Sequence, residues 1–133
     1  MSIKPRTVLL IPVLLAACPA VFAADAVAEL LSRYGAGGTA EFSAERGRTL
    51  WTEVRGERSA GSCADCHTGD LTRPGRHVRT GKAIEPLAPS VNPERLTDPA
   101  RIEKWFLRNC KGTWGRECTA REKGDFLLYI RSQ

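Results

Sequence analysis

Methionine is nearly absent from this chain: among 133 residues, Met1 is the only one. Once the first residues are removed, no thioether side chain remains to serve a metal. Long apolar runs are missing too. VLLIPVLLAA, residues 8–17, is too short to span a bilayer. No basic tail and no stripe of interleaved basic and aromatic residues occurs, so nucleic acid is set aside as a partner. No Ser/His or paired-carboxylate constellation is present either, which leaves a hydrolase unsupported and nothing that marks a dedicated enzyme. What remains has the make-up of one soluble globular domain, 42% hydrophobic and 26% charged.

The first 23 residues read as an export signal. Lys4 and Arg6 precede the apolar run, and Val21 and Ala23 occupy the minus-three and minus-one positions of a cut after Ala23. The alternative is LAAC, residues 15–18, which resembles a lipobox that would lipidate Cys18 and anchor the chain to a membrane. Losing Lys4 and Arg6 leaves 18 of the 20 basic residues against 15 acidic ones, a net charge of +3 rather than +5. Export places the protein in an oxidising compartment such as the periplasm, where free cysteines are few. With Cys18 gone, Cys63, Cys66, Cys110 and Cys118 remain, an even number.

CADCH, residues 63–67, carries the chemistry. Two thiols separated by two residues reach the two vinyl groups of one haem, and His67 offers its imidazole to the iron from the same turn. C-x-x-C-H is the attachment sequence of c-type haem. Three other readings compete. A thioredoxin-like pair needs a βαβ context that the polar, turn-rich flanks do not provide. A zinc site made from the four cysteines conflicts with an oxidising compartment and leaves His67 idle. A plain disulfide also ignores the histidine.

Helical stripes surround this motif. Ala26, Val27, Leu30, Leu31 and Tyr34 form one, ending at the GAGG linker of residues 35–38. A second helix begins near Ser43 and places Gly47 and Trp51 on one face, where a glycine admits another backbone at close range. The last helix, residues 122–132, presents Phe126, Tyr129 and Ile130. AERGRTLW, CADCH and DFLLYI in this order resemble the layout of class I cytochromes c. That resemblance implies an all-α fold, a small helical domain wrapped around one covalently attached haem c, with the first and last helices of the domain crossing at the glycine and its aromatic partners. The chain then divides into a signal at 1–23, an N-terminal helix and linker at 24–40, and a cytochrome domain at 41–133.

Residues 80–96 contain Pro86, Pro89 and Pro93 without sustained periodicity and read as a loop. A carbonyl of Pro86 or Pro89 is a candidate acceptor for the ring N–H of His67. Asp98 is a good N-cap and Pro99 suits the first helical position, which predicts a helix from Pro99 to about Cys110. Ile102, Trp105, Phe106 and Asn109 fall at i, i+3, i+4 and i+7, so an amide is expected to face inward at the helix's end. A buried amide needs a partner. With no methionine to act as sixth iron ligand, the candidates are Asn109, His77, Lys111, a water or an open site. His77 lies only ten residues after His67, too near to reach the opposite haem face easily.

The stretch TGKAIEPLAPSVNPERLTDPARIEKWFLRNCKGTWGREC, residues 80–118, is similar to the sphaeroides haem protein (SHP) family of oxygen-binding cytochromes c and to its relative cytochrome c″. The likeness runs from about residue 41 to 131, and WFxRNC is its most specific segment. It implies that Cys63, Cys66 and His67 hold the haem and that Asn109 is the sixth ligand of the oxidised iron. It also implies a disulfide between Cys110 and Cys118, a dihaem cytochrome c as electron donor, and diatomic ligands (O2, NO, CO) at the reduced haem. A hard carboxamide oxygen suits ferric better than ferrous iron, which makes release on reduction the expectation. Arg73, Arg76, Arg79 and Lys82 gather after the haem motif, either to steer an acidic redox partner or to balance haem propionates.

Overall fold

The computed structural model describes residues 25–38, 41–55 and 61–133. The signal assigned to 1–23, with Cys18, lies outside the described residues, and so does the end of the linker at 39–40. Among the described residues, five helices make up most of the regular structure: α1 (Ala26–Gly35), α2 (Ala44–Thr52), the single turn α3 (Ala64–His67), α4 (Pro99–Trp114) and α5 (Ala120–Arg131). Two short strands that periodicity did not reveal, β1 (Gly75–Arg76) and β2 (Ala83–Ile84), pair antiparallel with Gly75 opposite Ile84. The fold is all-α, as expected.

Local chemistry explains where the helices start. Asp25 accepts from the amides of Val27 and Ala28, Ser43 from that of Arg46, and Asp98 from those of Ala100 and Arg101, each satisfying donors that a helix leaves free at its first turn. Thr119 and Glu122 form a reciprocal capping box at the head of α5. Helix α1 buries Ala26, Val27 and Leu30 against Ile102 of α4 and Leu127 of α5. The Tyr34 hydroxyl donates to Glu103 at 2.7 Å and Lys123 pairs with the other oxygen at 2.7 Å, so one carboxylate ties α1, α4 and α5 together.

The central crossing is that of α2 with α5. A Cβ on Gly47 would stand 2.1 Å from the Asp125 carbonyl oxygen and 2.8 Å from the Tyr129 Cβ, so only glycine lets the two backbones touch. Trp51, one turn on, packs against Phe126 at 6.0 Å and Tyr129 at 5.7 Å between ring centroids. Asp125 beside them is 2% exposed. Arg46 donates to both its oxygens, at 2.9 and 3.0 Å, and the Ser43 amide donates at 2.6 Å. A buried carboxylate is tolerated only with such partners.

Glu122 gives the acid limb of stability. Two contacts from Arg116 at 2.8 and 2.6 Å, the Thr119 amide and Arg55 hold its carboxyl down at about 2, below the 4.5 of a free glutamate. A depressed folded pKa contributes stability that is fully present above the unfolded value and disappears as pH falls through the folded one. Stability should therefore decline between about pH 4.5 and 2. Glu122→Gln is expected to flatten that part of the profile, measured as thermal midpoint against pH.

Candidate functional site

CADCH forms a single helical turn because its ends are fixed. The Asp65 carboxylate accepts from the Gly61 amide at 2.8 Å, the Ser62 amide at 3.0 Å and the Ser62 hydroxyl at 3.0 Å, and the bonds from Ser62 foremost lower its pKa. The His67 amide donates to the Cys63 carbonyl at 3.1 Å, and Thr68, at φ 65°, ends the turn. Trp51 donates its indole N–H to the Thr68 carbonyl at 2.8 Å. Strand β1 lies directly against the turn: a Cβ on Gly75 would meet the Cys66 carbonyl oxygen at 2.1 Å and the His67 Cα at 2.9 Å. Gly75 escaped the reading of the sequence, since a glycine in a polar RPGR run carries no local sign of what approaches it.

His67 itself is mostly buried, its ring 5.7 Å from that of Trp51. Burial first, then the nearby Arg95 and His77, push its pKa down to about 4, so the imidazole is neutral at pH 7 and keeps a lone pair for a metal. Its Nδ1 is buried without a hydrogen-bond partner among the described residues. Neither Pro86 nor Pro89 supplies one, contrary to expectation. The Pro86 carbonyl is occupied by the Asn92 amide at 3.1 Å and by Arg95 Nε at 2.9 Å, because the loop folds back on itself after Pro89. The loop instead docks through the Leu87 and Ala88 amides, both 3.0 Å from the Leu71 carbonyl.

Cys63 and Cys66 are free, whereas Cys110 is bonded to Cys118 with 5.6 Å between their Cα atoms. This pairing removes two of the four thiols that a zinc site would have used. Burial pushes the Cys63 thiol up to about 12, so without a partner it stays protonated at neutral pH. Two adjacent unpaired thiols, a neutral imidazole next in the chain and an orphaned ring nitrogen all fit a covalently attached haem.

Helix α4 differs from expectation in length and in facing. It runs on to Trp114 and stops at Gly115, which takes the left-handed conformation at φ 75°. Ile102 and Cys110 are buried and Phe106 is half-buried, but Trp105 is 45% exposed and Asn109 is exposed. Asn109 keeps nearly the angular position of Ile102. That angle is covered by α1 and α5 at Ile102, while in the second half of α4 protein atoms leave it open, and a Cβ on Gly112 would meet nothing within 4 Å. His77 sits at the β1–β2 turn beside α3, and its Nδ1 accepts from the Thr80 amide at 3.2 Å. Lys111 pairs with Glu117 at 3.0 Å on the surface.

A domain of unknown function (DUF1924) matches residues 37–130. The cytochrome c-type protein SHP of Cereibacter sphaeroides is 46% identical, covering 86% of this chain and 90% of that protein. Cytochrome c″ of Methylophilus methylotrophus is 39% identical over 54% of this chain and 50% of its own length. The structure of oxidised SHP, described as an oxygen-binding cytochrome c, superposes with a TM-score of 0.75 at 47% identity, over 80% of this chain and 96% of that one. Oxidised cytochrome c″ does so with a TM-score of 0.71 at 28% identity, over 81% and 94%. The chain therefore belongs to the family of c-type cytochromes that includes SHP and cytochrome c″, and its cofactor is haem c.

Proposed function

We propose that this protein is an exported, periplasmic monohaem cytochrome that takes electrons from a redox partner, a dihaem cytochrome c, and exposes a binding position for O2, NO or CO when reduced. Anchoring through a lipidated Cys18 is the alternative to soluble export. Cys63 and Cys66 hold the haem, His67 is its proximal ligand and Asn109 its sixth ligand in the oxidised state. When bound, the haem supplies one-electron chemistry and an axial position for a diatomic gas.

One observation carries this reading: the Asn109 amide stands uncovered on α4, one residue before the disulfide-bonded Cys110. The only methionine, Met1, lies in the segment read as the signal. Asn109 offers a hard, neutral oxygen that oxidised iron prefers, and the side chain releases when an electron arrives. The relative SHP, described as oxygen-binding, supports the gas-binding half. A six-coordinate electron carrier using His77 or Lys111 fits less well. The His77 ring is engaged by Thr80, and Lys111 by Glu117.

Asn109→Ala tests the reading. Its ferric absorption and electron paramagnetic resonance spectra should change as water or an open position replaces the amide, and cyanide should bind the ferric form about tenfold faster or more, the effect of some 1.4 kcal/mol of lost ligation. CO binding by the ferrous form should be unchanged. An unaltered ferric spectrum, or a ferrous form that stays low-spin and ignores CO, points to the electron carrier instead.

A further inference from the structure

Two contacts fix the rotation of the last turns of α4. Cys110 is held by the disulfide to Cys118, and Trp114, four positions on, packs its ring on Phe126 at 5.7 Å. The residues just before them, Asn109 and Thr113, are also four apart and so lie one above the other on the neighbouring face of the helix. Protein atoms leave that side open: Asn109 is exposed, and a Cβ on Gly112 would meet nothing within 4 Å. Thr113 is half-buried. Helical side chains lean toward the N-terminus, so the Thr113 side chain covers the turn that carries Asn109.

Its hydroxyl is free to act there. A threonine inside a helix commonly bonds back to the carbonyl four residues earlier. Thr49 on α2 does so, donating to the Glu45 carbonyl at 3.1 Å, whereas the Thr113 hydroxyl makes no hydrogen bond among the described residues, to the Asn109 carbonyl or to any other group. A free hydroxyl beside an axial position discriminates between gases. O2 on a reduced haem draws negative charge onto its outer atom and accepts a hydrogen bond well, while CO stays close to neutral and gains little. Once Asn109 has left that position, Thr113 is the next polar side chain along the same face.

We infer that the Thr113 hydroxyl donates to the diatomic ligand that takes the place of Asn109, and so favours O2 over CO. Thr113 is then a specificity-determining residue, and the hydroxyl keeps its proton throughout. This inference rests on the proposed gas binding at the position Asn109 leaves.

The test is gas binding by reduced holoprotein, with haem c content matched through the pyridine haemochrome spectrum. Thr113→Val keeps the branched shape and removes the donor. O2 should dissociate from it about tenfold faster, which corresponds to about 1.4 kcal/mol, while CO affinity stays within about twofold. The C–O stretching band of the CO form should move to higher wavenumber, because the positive end of a hydroxyl no longer faces the ligand. Thr113→Ser restores the donor and should return both the rate and the band toward wild type. A Thr113→Val protein with wild-type O2 dissociation and an unmoved C–O band overturns the inference and leaves gas binding standing. A wild-type ferrous protein that takes up neither O2 nor CO overturns both. If the valine variant does not accumulate, Thr113→Ala serves as the donor-free protein in the same measurements.

Discussion

Gly47→Ala is expected to abolish accumulation of folded, haem-loaded protein, or to lower its stability by about 3 kcal/mol or more. The added methyl would stand 2.1 Å from the Asp125 carbonyl oxygen, 2.7 Å from its carbon and 2.8 Å from the Tyr129 Cβ. Two of these atoms are backbone and cannot rotate away, so α2 and α5 must part. Trp51 moves with α2, and with it go the contacts to Phe126 and Tyr129, the hydrogen bond to Thr68 and the packing on His67. A loss of this size is a large share of the 5–15 kcal/mol that holds an ordinary domain together. Glu45→Ala, two residues earlier on the exposed side of α2, removes only the surface pair with Arg48 and should change stability by less than about 1 kcal/mol. Thermal unfolding of both holoproteins, with the yield of covalent haem, checks the contrast; equal behaviour would show that the crossing yields easily.

The Gly47 and Trp51 face was legible because helical periodicity brings the two together and a glycine on a helix face has a short list of uses. The start of α4 was legible for the same local reason: Asp98 accepts from amides two and three residues on, and Pro99 takes the first helical position. CADCH was legible because covalent attachment fixes its spacing. Reading failed where a second segment decides the outcome. Asp125 has the formula of a surface carboxylate, and only Arg46 and the Ser43 amide, some eighty residues earlier, make its burial possible. Periodicity gave the angle of Asn109 on α4 but not what covers that angle. The Pro86 carbonyl was a reasonable acceptor for His67 until Asn92 and Arg95 folded back onto it. Ending α4 at Cys110 overlooked Gly115, whose left-handed backbone is the true stop.

The disulfide carries the other large effect. Joining Cys110 to Cys118 closes a loop of about nine residues, which in the chain-entropy picture stabilises the fold by about 2.5 kcal/mol. Both cysteines are 6% exposed, so alanine is the cleaner replacement; serine would add the cost of burying two hydroxyls. The double variant Cys110→Ala/Cys118→Ala should unfold on the order of 10 °C lower, since each kcal/mol moves the midpoint of a domain this size by several degrees. Stability is only half of the expectation. Asn109 precedes the bond by one residue, and the bond holds the last turn of α4, through Trp114, against Phe126. Without it that turn is free to fray, and on the proposed ligation an amide that leaves the iron on reduction would have farther to travel back. Rebinding after rapid reoxidation, followed by the return of the resting ferric spectrum, should slow several-fold at a temperature where both proteins remain folded. A lower unfolding midpoint with unchanged rebinding would confine the disulfide to stability and leave the placement of Asn109 to the helix alone.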